Sequence, residues 1–550
     1  MWSRPERRSV AVGLALVVLG AACSGSSRTS GPATTTPRVQ KGGTITVVGQ
    51  ADPITLNPKS TSSVNSTLMA SVWRGVWTIT PDSQYRLNTD LVLTADVVST
   101  DPQTVVYKIN PNATWSDGVP FDADDFLYNW QLNRAGATDI DGARIQTNSD
   151  SEADAIADVT GSDGGKTVTV VFRQAYSEWK AGRVFNTLVP AHVARRVGFN
   201  SGFDHFDPAI DVSDAAFRLA NYSPDRDMTF VRNDRYWGAP ANLDSVIVRF
   251  TDPSATSAAL RNGEGDLANG QDALPDAVAE RKRIPGFASD VFPSFAQESL
   301  YFNQRNELLA IPDVRRAVAL AVDRRAIFQR AFSAGSVVDV VDSFLWTTSQ
   351  PTYHDTSGGR YDRPDLGAAK GLLDGAGFAL APDGVYSRGG KRLSFRLLTI
   401  SAAPRDEEAQ LVQSQLKAAG IDVGIDARPL AAYSQAVQKG DYDLALTSYV
   451  KNLFGTLNVA AGSYLATSLG YTNPKLDQLM QEARGELDDT KRLALIDQAD
   501  RMLWDDLPMF PLFQRPLLFS VRDTFVNIRP NPAGGGAFWN IEQWARKASG

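Results

Sequence analysis

Between residues 393 and 446 the chain alternates apolar strand-like runs with amphipathic helical ones, and this alternation restricts the fold more than any other feature. Residues 393–398 read as a strand and 406–419 as a helix closed by Gly420. Residues 421–425 read as a second strand, 431–438 as a second helix and 442–446 as a third strand. Parallel strands need a long crossover, normally a helix, so this order predicts a parallel sheet with right-handed connections. Ligands on such sheets bind beyond the carboxyl ends of the strands. Residues 447–458 are therefore the best-placed site loop in the chain.

The full 550 residues suffice for two or three domains. Charged residues make up 21% and hydrophobic ones 43%, the proportions of an ordinary globular protein. The net charge of −7 argues against nucleic acid as the main partner. The start of the chain is different in kind. Arg4, Arg7 and Arg8 precede an apolar run at 10–22, too short to span a bilayer as a stable helix but suited to a signal-peptide core. The run ends Leu19-Gly20-Ala21-Ala22-Cys23, which resembles a lipoprotein processing site with Cys23 as the lipidated first residue, although Gly20 stands where Leu or Val is favoured. Arg7-Arg8 leaves Sec and twin-arginine export both open. Cys23 is the single cysteine, so no internal disulfide exists. Residues 24–40 are mostly Ser, Thr, Gly and Pro and read as a disordered spacer. The expected location is the extracytoplasmic face of the cell membrane, through a lipid on Cys23.

Motifs for catalysis are sparse. His192, His205 and His354 are the only histidines, and there is no Gly-x-Ser-x-Gly, no His-Glu-x-x-His and no Cys–His pair. Gly161-Ser162-Asp163-Gly164-Gly165-Lys166-Thr167 imitates a phosphate loop, but Thr160 occupies the first glycine position and a strand, not a helix, follows at 167–172. It reads as a hairpin turn. No cofactor or metal is called for.

The stretch 107–130 reads as strand, turn and helix start. Val105, Tyr107 and Ile109 alternate as in a half-buried strand, Asp117-Gly118 is turn chemistry, and Asp122 stands at an N-cap ahead of Asp124, Asp125, Phe126 and Trp130. Trp115, Ser116, Asp117, Gly118, Pro120, Ala123, Asp125 and Phe126 also match the signature of the family 5 extracellular solute-binding proteins, the oligopeptide- and dipeptide-binding components of ABC importers. Residues 233–238, Tyr301-Phe302-Asn303, the helix at 312–324, Asn473-Pro474-Lys475-Leu476-Asp477 and residues 507–512 resemble further segments of that family, so the resemblance spans nearly everything beyond the spacer. It implies an α/β, periplasmic-binding-protein-like two-lobed clamshell (type II, cluster C-like) with an extra inserted domain. The implied divisions are a signal peptide at 1–22, the spacer at 23–40, lobe I from 41–76, 182–255 and 505–550, the insert at 77–181, and lobe II at 256–504.

The resemblance further implies a monomer that captures an oligopeptide or peptide-like solute between its lobes and hands it to ABC permease subunits. Peptide main chain would be held by β-augmentation inside the cleft, and the open–closed equilibrium would report cargo. Ser63 and Asn65, in the loop after the first strand, are ligand candidates, and so is Asn303 beside the hinge. Peptide-binding relatives hold the ligand α-ammonium on an aspartate a few residues beyond an aromatic, downstream of a Tyr-Asp strand. Counting from Tyr442-Asp443, Tyr449 takes the aromatic position and Asn452 the aspartate position, with Lys451 adjacent. A neutral amide cannot balance an enclosed ammonium, whose burial costs on the order of several kcal/mol. Either another carboxylate reaches the cleft or the solute carries no ammonium at that point. Two other classes stand beside this one. One is a binding-protein homologue serving as a regulatory or envelope lipoprotein. The other is a secreted hydrolase using paired carboxylates such as Asp117 and Asp125.

Overall fold

Two long antiparallel strands, Phe287–Phe302 and Met509–Arg522, form the middle of a ten-stranded sheet. The computed structural model describes residues 38–53, 55–59, 66–69, 71–147, 151–332, 338–451, 462–533 and 536–548. On one side of the long pair lie Leu444–Val450, Ser394–Ile400 and Asp422–Arg428 in spatial order; on the other lie Leu267–Asp272, Thr44–Gln50, Ser245–Phe250, Asp227–Arg232 and Phe217–Ser223.

This sheet serves two separate cores. Phe292 and Phe519 pack with Ile45, Trp73, Trp115 and Trp544 in the first. Leu300, Phe302, Phe510 and Phe513 pack with Leu397, Val412, Leu446 and Trp504 in the second. Between the cores the ladder of the long pair slips: Pro293 is opposite Pro516, pairing resumes with Gln297 opposite Gln514, and the register shifts again between Glu298, opposite Phe513, and Ser299, opposite Pro511. Proline has no N–H to give a ladder, so two facing prolines interrupt it. Side chains and a neighbouring loop repair the gap. Ser294 Oγ donates to the Arg515 carbonyl at 2.8 Å, Gln514 Nε2 donates to the Ser294 carbonyl at 2.5 Å, and the Phe295 amide donates to the Pro532 carbonyl at 2.9 Å.

The strand–helix alternation folds as its periodicity dictates. Ser394–Ile400 pairs in parallel with both Asp422–Arg428 and Leu444–Val450, and helices Arg405–Ala418 and Leu430–Lys439 make the crossovers. Gly420, with φ +80°, lets the chain turn at the end of the first helix. Strands Ile156–Ser162 and Thr167–Phe172 form the expected hairpin over Asp163–Gly165. In the signature stretch, helix Ala123–Asn133 opens on a capping box: Asp122 Oδ1 accepts from the Asp124 amide at 2.8 Å, and Asp125 Oδ2 from the Asp122 amide at 3.2 Å.

Elsewhere the elements differ from the sequence pattern. Met69, Val72, Trp73 and Val76 stand at the spacing of one helical face, which predicts a helix through all four, yet the helix there is only Ser66–Met69. The remaining residues are buried in turns, where the Val76 amide bonds the Phe185 carbonyl and Trp73 Nε1 bonds the Val212 carbonyl, so tertiary partners replace helical ones. The stretch 252–266, which follows a strand and reads as a crossover helix, holds only the helix Thr256–Arg261 after one 3-10 turn. The helix expected over 312–324 is two, Pro312–Ala321 and Arg324–Ala331, because Asp323 caps the second through a 2.9 Å bond from the Ala326 amide. No helix among the described residues is long and apolar enough to cross a membrane.

Candidate ligand cleft

Where the long strands pass between the cores, charged side chains from several elements are buried together. Asp272 ends the strand Leu267–Asp272, Glu298 and Arg515 lie on the long pair, and Arg405 and Glu408 lie in the first turns of the crossover helix. Arg515 holds Glu298 through Nη1 and Asp272 Oδ2 through Nη2 at 2.8 Å. Arg405 Nη2 reaches the same Glu298 Oε2 at 3.0 Å, and its Nη1 donates to the Leu446 carbonyl at 2.8 Å. Tyr433 donates its hydroxyl to that carbonyl at 2.7 Å. The cluster thus sits at the carboxyl side of a parallel strand, where an α/β sheet presents ligands to its helix N-termini. Burial, reinforced by the facing Glu298 carboxylate, pushes Glu408 up to about 8.

The residues singled out from the sequence are differently placed. Asn303 follows the long strand and is 5% exposed. Its amide donates to the carbonyls of Gly440 (3.0 Å) and Tyr442 (2.7 Å), and its oxygen accepts from the Arg305 amide, so it ties two turns together. Lys451 is also buried: Nζ donates to the Phe344 carbonyl at 2.6 Å and lies 5.4 Å from the Tyr449 ring centre. Burial lowers Lys451 to about 8 against the opposing pull of Asp500. Asp500 is itself enclosed, accepting from Ser343 Oγ and from the Phe344 amide at 2.7 Å, and burial raises it to about 6. Tyr449 is half-buried near the end of strand Leu444–Val450, opposite Gln297. Cys23, Ser63, Asn65 and Asn452 lie outside the described residues.

Other conspicuous charges have structural duties. Asp125 accepts from Trp115 Nε1 (3.2 Å) and the amides of Asp122 and Ala191 (3.2 and 3.0 Å), and burial raises it to about 6. Asp117 bonds His192 Nε2 at 2.9 Å and the Val119 amide at 3.1 Å. Arg315 donates to the carbonyls of Leu309, Ala310, Asp506 and Leu507, joining one helix start to another helix end rather than pairing with Asp323. Among the described residues there is no group of His, Cys, Asp and Glu side chains fit to hold a metal ion. The sequence reading passed over Glu298, Arg405, Glu408 and Arg515. Glu298, beside Gln297 in the strand end 296–302 that finishes Leu300-Tyr301-Phe302, was the available signal.

Three comparisons bear on this architecture. The chain is 27% identical to the oligopeptide-binding protein OppA of Mycobacterium tuberculosis over 550 residues, covering 94% of this chain and 89% of the relative. It is 31% identical over 331 residues to a probable monoacyl phosphatidylinositol tetramannoside-binding protein, LpqW, of the same organism, over 58% of this chain and 49% of that one. Among solved structures, the periplasmic EDTA-binding protein EppA superposes with a TM-score of 0.85 at 25% identity, over 94% of this chain and 99% of that one. The Bacillus subtilis oligopeptide-binding protein AppA, in complex with a nonapeptide, shares the fold with a TM-score of 0.77 at 18% identity, over 93% and 100%. The family model for bacterial extracellular solute-binding proteins, family 5, matches residues 73–470. With two cores joined through one slipped strand pair and a family match over most of its length, the chain belongs to the family 5 bacterial extracellular solute-binding proteins.

Proposed function

We propose that this chain captures an oligopeptide or similarly elongated polar solute between its two lobes and delivers it to the permease of an ABC importer. The observation that carries the reading is the slipped ladder at Pro293 and Pro516, which leaves the two cores joined by a sheet that can flex at one line. Hinge closure about such a line buries the solute and makes loading visible to a partner. Relatives named for oligopeptides, a structure holding a nonapeptide and another named for EDTA support a polar, extended ligand class.

In this reading 77–181 is the inserted domain, the lobes carry the two cores, with Phe292 on the first and Phe510 and Phe513 on the second, and Tyr449 faces the solute while Asn303 and Lys451 brace the wall behind it. Cys23 carries the lipid that keeps the monomer at the extracytoplasmic face, and Ser63, Asn65 and Asn452 are the further ligand candidates. A second reading is an envelope lipoprotein, and the likeness to LpqW, named as a probable monoacyl phosphatidylinositol tetramannoside-binding protein, supports a glycolipid ligand for it.

The test is mass spectrometry of small molecules released by denaturing the protein purified from its own cells, paired with small-angle scattering before and after adding a tetrapeptide pool. Peptide-like molecules and a contraction on binding are expected. Chemical turnover of the added pool, or a particle that never contracts, would defeat the reading.

A further inference from the structure

At the junction between the cores three carboxylates meet two guanidiniums. Arg515 serves Asp272 and Glu298, and Arg405 serves Glu298. The Glu408 carboxylate has only a long ion pair with Arg405, whose Nε makes no hydrogen bond and whose Nη2 already serves Glu298. It is fully buried, neither of its oxygens accepts a hydrogen bond, and Arg405 Nε stands 3.8 Å from Oε2. Glu298 Oε1 is likewise buried with no donor. These atoms belong to one constellation, since Glu298, Arg515, Arg405 and Asp272 are the charges that act on Glu408.

Buried acceptors in a folded protein are nearly always satisfied, and one that is not implies a donor arriving from elsewhere. Three acceptor oxygens, and a site one negative charge in excess once Glu408 ionises, specify that donor: it is cationic and carries several N–H groups. The position agrees, because Arg405 and Tyr433 fix the cluster to the Leu446 carbonyl at the carboxyl side of the parallel strands. We propose that Glu408, together with Oε1 of Glu298, receives an ammonium or guanidinium group of the bound solute. This rests on the solute-binding reading and adds the charge of the ligand to it. Without solute a proton occupies Glu408 at neutral pH, in keeping with its raised affinity for protons. The arriving cation displaces that proton to water, so charge is conserved at the site.

The experiment uses the full chain at pH 7 and an equimolar set of tetrapeptides. Half have a free α-amine; the other half are N-acetylated and contain no Lys or Arg. Retained peptides are identified by mass spectrometry. The wild type is expected to retain the cationic set about tenfold over the acetylated set, and Glu408→Gln to reduce that preference to about threefold or less while still retaining peptide. Calorimetry in two buffers of different ionisation heat is expected to show about one proton released per cationic peptide bound to the wild type. That second readout needs no variant and stands if Glu408→Gln does not fold. Equal retention of the two sets by the wild type, an unchanged preference in Glu408→Gln, or no proton release overturns the inference alone. Retention of neither set overturns the solute-binding reading with it.

Discussion

The Ser177 amide donates to the Arg484 carbonyl at 2.7 Å, joining a segment packed on the first core to a helix packed on the second. The same contact includes Ser177 Oγ on the Ala483 carbonyl at 3.3 Å and an ion pair of Arg484 Nε with Glu178 Oε2 at 3.1 Å. Glu178 is 2% exposed, so its charge depends on this partner far more than a surface glutamate would. The two cores are therefore fastened here as well as along the long strands. Arg484→Ala is expected to lower stability by about 1–3 kcal/mol in urea unfolding and to increase the radius of gyration by scattering. An unchanged radius would show that the contact does not restrain the lobes.

Stability should fall as pH rises from acid toward neutral. Asp125 and Asp500 are raised to about 6 and Glu408 to about 8, each chiefly by burial. A carboxyl with a raised folded-state pKa holds its proton more firmly when folded, so its contribution is complete below the unfolded pKa and is lost as pH climbs through the folded one. For Glu408 the window runs from about 4.5 to about 8. Within it the wild type should lose up to about 1.4 kcal/mol per pH unit relative to Glu408→Gln. Parallel denaturant curves for the two proteins at pH 5, 6, 7 and 8 measure this; curves that keep a constant separation would refute it.

Lys451 should matter to folding more than to affinity. Its ammonium is enclosed on the Phe344 carbonyl beside Asp500. Lys451→Ala removes that donor and leaves Asp500 without its opposing charge, a loss of about 1–3 kcal/mol. Thermal unfolding should register it, while the affinity for a retained tetrapeptide should change by less than about threefold. A large affinity loss with unchanged melting would instead put Lys451 on the solute.

Asp125 holds the signature stretch together by collecting three donors from three places: the Trp115 indole, the Asp122 amide and the Ala191 amide. Asp125→Ala strands all three, with an expected cost of about 2–4 kcal/mol. Tryptophan fluorescence should report the loosened Trp115, which is fully buried in the wild type. Wild-type melting and emission in the variant would contradict this account.

Several parts of the fold were readable from residue order alone, because their causes are local. The parallel strands around 394–450, the Asp122 and Asn473 caps and the 156–172 hairpin follow from periodicity, capping chemistry and turn residues within a few positions of each other. The matching signature residues likewise pointed to the family that the comparisons establish.

What the tertiary structure alone decided depends on partners distant in the chain. Met509–Arg522 carries two prolines and gives no clean strand signal, yet it is central because Phe287–Phe302 pairs along it and places its own proline opposite Pro516. Val72, Trp73 and Val76 left the expected helix because backbone and indole partners lay beyond residue 180. Arg405, Glu408 and Arg515, the partners of Glu298, are unremarkable at their places in the sequence. Folding brings them into one desolvated cluster, where the count of charges, and hence any chemistry of the site, is first defined.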